Sequence, residues 1–180
     1  ESPRTRSWKL PRRLSMAPDA APAANPAISA RLMLATYILG GLGIGIGMWT
    51  LQWDPPSLSL GCLLAIGATG LLSFARHSVF HRSDAARMGW DYGRRNNFQI
   101  EVGLANLAWG LVAVLAVVLG WGLAVEAVLF LVFAFYILSV LVLNLMSSRD
   151  EGRRALGPLI ALAAFGMMLL VVGTWGMLAA

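Results

Sequence analysis

Two histidines and an aspartate in one short segment could bind a metal ion. His77, His81 and Asp84 are spaced at i, i+4 and i+7, so they share a face if the segment is helical. Two imidazoles and a carboxylate can ligate zinc or non-haem iron and leave coordination positions open. Histidines at a helix end can also lie at the membrane interface or complement the helix dipole, which is the more common situation for this spacing.

A second group of polar residues opens the apolar stretch that follows. At 100° per residue these residues form two opposite faces, one with Asn97 and Glu101 and the other with Gln99, Gly103, Asn106 and Gly110. Small and amide residues on one face predict close packing against another helix with a buried hydrogen bond. Asn144 lies at a comparable depth in a later span and is a possible partner for Asn106.

Glu101 has two interpretations. A carboxylate near the interface can form a salt bridge with a basic neighbour, for which Arg76, Arg94 and Arg95 are available. It can instead serve as a proton or cation site, although a conduction path needs further polar groups deeper in the membrane. Glu126 has no basic residue near it in the chain, and we expect it to be solvated.

The usual catalytic constellations of hydrolases are missing from the sequence. No Ser/His/Asp, Cys/His or paired-carboxylate arrangement can be assembled from it, and Cys62 is the single cysteine. One thiol within an apolar run cannot form an intrachain disulfide or a thiolate metal cluster. We therefore expect no enzyme activity.

The elements that must position these residues are membrane helices. The chain has 180 residues, of which 58% are apolar and only 13% are charged, which is too little polar surface for a soluble domain. Stretches of roughly 20 apolar residues suffice to span a bilayer, and five qualify, at about 31–53, 58–75, 98–121, 123–147 and 158–178. The predicted fold is an all-α integral membrane bundle of five transmembrane helices in contact with the lipid bilayer.

Basic residues predict the orientation of this bundle. All 14 Lys and Arg residues fall before or at the first span, between the second and third, or between the fourth and fifth, and such loops stay in the cytoplasm. The N-terminus is then cytoplasmic and the C-terminus outside. Four tryptophans lie at the opposite ends of the spans, where they would form an aromatic belt: Trp49, Trp53, Trp121 and Trp175. The net charge of +5 is spread over loops and a tail, so we expect no nucleic-acid partner.

Turn and cap residues separate the spans. The run Asp54-Pro55-Pro56-Ser57 cannot continue a helix and predicts a tight hairpin. Asn96, followed three residues later by Gln99, resembles a capping box that opens the third span. Gly157-Pro158 places proline in the first turn of the fifth span.

Small residues at helical spacing mark the faces on which the spans should pack. Lipid tails are as apolar as leucine, so membrane helices associate through close backbone approach. Span one carries Gly40, Gly43 and Gly47 on one stripe, and span two carries Gly61. With Gly103 and Gly110 of span three, these are the predicted packing glycines.

Residues 1–30 differ from the rest of the chain. They are rich in Pro and Ala, begin with basic residues and show no apolar periodicity, so they cannot bury enough surface to offset the entropy of ordering. We expect a cytoplasmic tail followed by a membrane domain over 31–180. Contact with other membrane subunits would suit a tail on a chain that has no soluble domain.

One segment resembles a known family. The matching residues are His77-Ser78, Phe80-His81, Ala86-Arg87, Gly89-Trp90 and the run FQIEVGLANL at 98–107. Over residues 77–107 the chain resembles small uncharacterised prokaryotic multi-spanning membrane proteins with an HSxFH…ARxGW…FQxEVGxANL-type signature. The resemblance implies shared architecture without an assigned activity. The link at 92–96 is more basic than is usual in that family, so no function of this loop carries over.

The function expected from the sequence is that of a non-enzymatic accessory or structural subunit of a larger bacterial membrane complex, located in the bacterial cytoplasmic (inner) membrane. One alternative is a small ion or solute transporter that uses Glu101. Another is a redox membrane protein that holds a metal, haem or pigment at His77 and His81.

Overall fold

The fold is a bundle of apolar helices. A computed structural model describes residues 24–89, 91, 93, 95–150 and 156–180. Within these residues the fold is all-α, as predicted, and the helices are α1 (Pro26–Thr50), α2 (Ser59–Val79), α3 (His81–Arg87), α4 (Asn97–Val118), α5 (Leu123–Asp150) and α6 (Leu156–Ala179). All except the short α3 are long and apolar enough to cross a membrane, which confirms a multi-pass membrane protein with five spanning helices.

The first helix begins earlier than the sequence predicts. The Asn25 side chain accepts a hydrogen bond from the Ala27 amide at 3.1 Å, and Pro26 occupies the first helical position, where its missing N–H costs nothing. The predicted tail therefore ends in helix, and Ser29 is a buried helical residue. The predicted partner contacts of the rest of the tail, residues 1–23, lie outside the described residues.

Local hydrogen bonds close the first hairpin where the sequence predicts it. The Ser57 amide donates to the Thr50 carbonyl at 3.1 Å, and the Thr50 hydroxyl donates to the Ser57 carbonyl at 2.6 Å. These bonds satisfy backbone groups left open at the helix ends. They hold the end of α1 beside the start of α2.

The spanning helices form two groups. In the first, α1, α2 and α4 pack together through small residues, with α3 against their end. A Cβ on Gly61 would lie 2.9 Å from the Gly47 Cα, and one on Gly43 would overlap the Ala65 backbone. All six predicted packing glycines are buried: Gly40, Gly43, Gly47, Gly61, Gly103 and Gly110. The second group is the hairpin of α5 and α6.

The two groups meet closely at one end of the bundle. There Phe130 of α5 and Val172 of α6 pack against Ile66 of α2 and against Leu58, the residue before α2, and all four side chains are fully buried. Glu126 lies at this end, which we call the Glu126 end. The four tryptophans of the predicted belt lie at the helix ends here or in the connections between them. Toward the opposite end, called the Asp84 end, the groups separate around a cavity.

Helix α2 is not a uniform α-helix. Residues Leu63–Ala68 and Ala75–Val79 are π-helical, and the second segment is closed by the Phe80 amide, which donates to the Ala75 carbonyl five residues back at 2.9 Å. Phe80 then leaves helical geometry at φ −103° and ψ 30° before α3 begins. Such single π turns are frequent at functional sites, and this one lies directly beside the site described next.

Candidate functional site

Asp84 is the centre of a buried polar cluster. Its side chain is 0% exposed. One carboxylate oxygen, Oδ2, lies 2.9 Å from both the His77 Nδ1 and the Gln99 Nε2 atoms. The other, Oδ1, accepts from the Ser29 hydroxyl and from the Arg87 Nη2 at 3.0 Å. The carboxylate thus joins α1, α2, α3 and α4.

A second arginine, Arg76, lies beside the same carboxylate. The Arg76 Nε lies 3.9 Å from the Asp84 Oδ1, and the Arg76 Nη2 lies 2.7 Å from the His77 Nε2. The Asp84 cluster is defined here as Ser29, Arg76, His77, Asp84, Arg87 and Gln99. It holds two guanidinium groups and one carboxylate.

Hydrogen bonding fixes the protonation of these groups. Burial alone would raise the pKa of Asp84, but hydrogen bonds from His77 and Ser29 and the charge of Arg76 outweigh it and hold that pKa well below its usual range. An arginine nitrogen can only donate, so the His77 Nε2 accepts and its Nδ1 carries the proton that Asp84 accepts. With a neutral His77, the cluster has a net charge of +1, from two arginines and one carboxylate.

The end of α2 is fixed against the start of α4. The Ser78 hydroxyl donates to the Ile100 carbonyl at 3.0 Å, and Ser78 lies so close to Gly103 that any Cβ there would overlap its hydroxyl. Asn96 caps α4 by accepting from the Gln99 amide at 3.2 Å. Only half of the predicted capping box forms, because the Gln99 side chain turns to Asp84 instead of Asn96.

The predicted metal ligands do not converge. His77 and Asp84 are in contact, whereas the His81 Nδ1 lies 3.0 Å from the Ser78 carbonyl. The π turn and the break at Phe80 interrupt the regular spacing that would place all three on one face. Among the residues that the structure describes, no group of three or more His, Cys, Asp or Glu side chains is placed to hold a metal ion. Binding of haem or pigment at His77 or His81 stays a prediction.

Glu101 and Asn97 lie on the exposed face of α4, while Gln99 and Asn106 lie on its buried face. No ion pair joins Glu101 to Arg76, because Glu101 lies on the exposed face of α4 whereas Arg76 lies beside Asp84. Of the other two candidates, Arg95 forms no ion pair with Glu101 in the described part of the chain, and Arg94 lies outside it. A proton or cation role for Glu101 stays a prediction.

The two asparagines do not pair with each other. The Asn106 amide donates to the Val102 carbonyl at 2.7 Å, and the Asn144 amide donates to the Val140 carbonyl at 2.8 Å. Each of these two bonds stays within its own helix. Asn106 is buried, whereas Asn144 is exposed.

A cavity of about 450 Å³ adjoins the Asp84 cluster. This volume lies within the usual range for small-molecule sites. Its polar lining residues are Thr36, Tyr37, Ser73, Arg76, His77, Gln99, Asn106 and Tyr136. Its apolar lining residues on α5 and α6 include Phe133, Ile137, Val140, Leu162 and Phe165.

Two buried polar atoms of cavity-lining residues lack hydrogen-bond partners. The Gln99 Oε1 and the Arg76 Nε form no hydrogen bond within the described residues, although the Arg76 Nε remains in the ion pair with Asp84. The Arg76 side chain is 15% exposed. Cavities with apolar walls and a few convergent polar groups are typical ligand sites, so this cavity is the candidate binding site.

Sequence reasoning missed several of these residues. Ser29 fell in a segment interpreted as a tail. Arg87 stands three residues after Asp84, a spacing that brings helical side chains together, and this signal could have identified the pair. The position of Gln99 opposite Asp84 depends on the turn between α3 and α4, which no periodicity predicts.

Comparison with known proteins identifies a family. A model of a family of unknown function, DUF6790, matches residues 56–175, which include α2 to α5 and most of α6. The chain matches no curated protein and no solved structure. Because the matched region covers well over half of the chain, the protein belongs to the family of unknown function DUF6790.

Proposed function

We propose that this protein is a non-enzymatic binding protein that holds a small amphipathic molecule in the cavity between its two helix groups. The observation that carries the proposal is the cavity itself, about 450 Å³ in volume, which is lined by apolar side chains of α5 and α6 and by the partly exposed Arg76. Cavities that combine an apolar wall with a few convergent polar groups are typical small-molecule sites.

The cavity also reaches the outer surface of the bundle, which we propose is in contact with lipid. Phe98 and Leu143 line it and are 70% and 62% exposed, and in a membrane helix an exposed apolar side chain faces lipid. They belong to α4 and α5, which lie in different helix groups. A molecule dissolved in the bilayer could enter between these two helices.

Blocking the cavity tests this proposal. Leu162 of α6 lines the cavity, so Leu162→Trp should fill part of it and reduce binding. Ile160 lies on the exposed face of the same helix, so Ile160→Trp adds the same side chain where there is room. Native mass spectrometry of both variants, with co-purifying molecules and an added panel of single-chain amphiphiles, should show binding lost only in Leu162→Trp. Equal binding by both variants and the unmodified protein would contradict the proposal.

A role as a subunit of a larger membrane complex is the second candidate. Gly41 and Gly45 are spaced at i and i+4 on the outward face of α1, where a Cβ would meet nothing within 4 Å. Small-xxx-small pairs of this kind favour association of membrane helices. Native electrophoresis after mild solubilisation tests this role. We expect Gly41→Leu with Gly45→Leu to release a partner, and an unmodified chain that always migrates as a monomer would argue against any partner.

A further inference from the structure

Among the described residues that line the cavity, Arg76 is a cation with unused donors. Arg76 lines it, whereas Arg87 does not and already donates to Asp84 and Ser29 through Nε and Nη2. Within the described residues, the Arg76 guanidinium contacts the His77 Nε2 and the more distant Asp84 Oδ1. A guanidinium has five N–H donors. Arg76 therefore retains capacity to bind a ligand.

The charge of the Asp84 cluster favours an anionic ligand. Two arginines and one carboxylate leave +1 beside a cavity within an apolar bundle, and an uncompensated charge in such surroundings is costly. A negatively charged group at Arg76 would balance it. A cationic group would add a second uncompensated charge beside Arg76.

The size of this charge limits the head group. A carboxylate carries one negative charge and matches +1. A phosphate monoester carries about −1.5 to −2 near neutral pH, which would exceed it. A carboxylate also accepts two parallel N–H bonds from a guanidinium fork.

The walls and volume of the cavity limit the rest of the ligand. Phe133, Ile137 and Phe165 offer only apolar and aromatic surface. A volume of about 450 Å³ lies in the lower half of the range for ligand pockets. These features fit one hydrocarbon chain.

We infer that the ligand is a single-chain carboxylic acid, such as a fatty acid, whose carboxylate binds Arg76 and whose chain lies against Phe133, Ile137 and Phe165. This inference rests on the proposed function, because it assigns the ligand of the same cavity. The inference specifies the charge of the ligand head group and the number of its hydrocarbon chains, which the proposed function leaves open.

Ligands with one chain and different head groups test the inference in the full-length protein. Hexadecanoate, hexadecanol, hexadecyltrimethylammonium and hexadecyl phosphate are each titrated in a neutral detergent and followed by native mass spectrometry. A hydrogen-bonded ion pair should make the carboxylate bind about ten- to a hundredfold more tightly than the alcohol. The ammonium should bind most weakly.

An arginine variant identifies the group responsible. In Arg76→Gln the preference for the carboxylate over the alcohol should disappear while binding of the alcohol persists. Arg76→Lys should retain part of the preference for the carboxylate. The wild-type order alone decides the inference if Arg76→Gln does not fold. Equal binding of all four ligands, or tighter binding of the phosphate, would overturn the inference and leave the proposed function intact. Failure of all four to bind would overturn both.

Discussion

The two ends of the bundle each bury a carboxylate, and they stabilise it in different ways. Asp84 is 0% exposed and Glu126 is 2% exposed. Asp84 contacts two arginines and a histidine. Glu126 accepts from the Ser59 hydroxyl at 2.7 Å and from the Leu58 amide, and no described arginine forms an ion pair with it. Only the Asp84 end, where the carboxylate is paired with arginines, adjoins the cavity.

This difference distinguishes the end where the helices pack closely from the end where we propose that a ligand binds. At the Glu126 end the helix groups meet through apolar side chains, and the carboxylate adds a bond between the start of α2 and α5. At the Asp84 end the groups diverge, and a charged network holds α1 to α4 in place. The network keeps Arg76 at the edge of the cavity. The end at which the cavity separates the two helix groups is therefore the one suited to a ligand.

The largest expected effect is that of Asp84→Asn. This change leaves Arg76 and Arg87 without their carboxylate, and removal of one partner from a buried ion pair costs about 3–5 kcal/mol. Denaturant unfolding in detergent should show this loss. A variant as stable as the unmodified protein would remove the distinction between the two ends.

Acidification should act through the same residue. The pKa of Asp84 is lowered in the folded state, so its contribution is complete above the pKa of the unfolded chain, about 3.9 for an aspartate. As the pH falls from about 5 toward the lower folded pKa, the unfolded state binds the proton first and stability decreases. Unfolding midpoints measured from pH 7 to pH 3 should fall more steeply for the unmodified protein than for Asp84→Asn. Parallel curves would contradict this assignment.

A glycine at the Glu126 end tests the packing side of the comparison. A Cβ at Gly61 would press on the backbone of Gly47, which cannot move without shifting a helix. Gly61→Ala should cost about 1–3 kcal/mol of unfolding free energy, as overpacking does. Gly45→Ala is the matched control, since a Cβ there meets nothing within 4 Å. Equal stability of the two variants would show that the helices are less closely packed.

The smallest expected effect is that of Glu126→Gln. The glutamine carbonyl can still accept from the Ser59 hydroxyl and the Leu58 amide, and no described cation loses an ion-pair partner. We expect a change below about 1 kcal/mol, the scale of one neutral hydrogen bond. Denaturant unfolding should therefore place this variant close to the unmodified protein. A loss as large as that of Asp84→Asn would mean that the two carboxylates are equivalent.

Sequence patterns predict the helices well because the bilayer demands long apolar runs. The two faces of α4 also follow from periodicity, with Gln99 and Asn106 inward and Glu101 outward. The π turn of α2 is not predictable in this way, and it separates His81 from His77. Orientation in the membrane stays a prediction from the basic loops.

Contacts between distant residues explain the remaining differences. Glu126 is expected from the sequence to be solvated, but it is buried and accepts a hydrogen bond from Ser59 of the neighbouring helix α2. Ser29 reaches Asp84 across 55 positions of the chain. Such pairs depend on how the helices cross, and helix periodicity carries no information about that crossing.

Photo-crosslinking tests most directly whether the cavity is the binding site. A 16-carbon carboxylic acid with a diazirine in its chain is incorporated into bilayers with the full-length protein, irradiated and mapped by mass spectrometry. We predict adducts on Phe133, Ile137 and Phe165, which line the cavity, and their suppression by Leu162→Trp but not by Ile160→Trp. Adducts spread evenly over the exposed helix faces, unchanged in Leu162→Trp, would contradict a ligand site between the two helix groups.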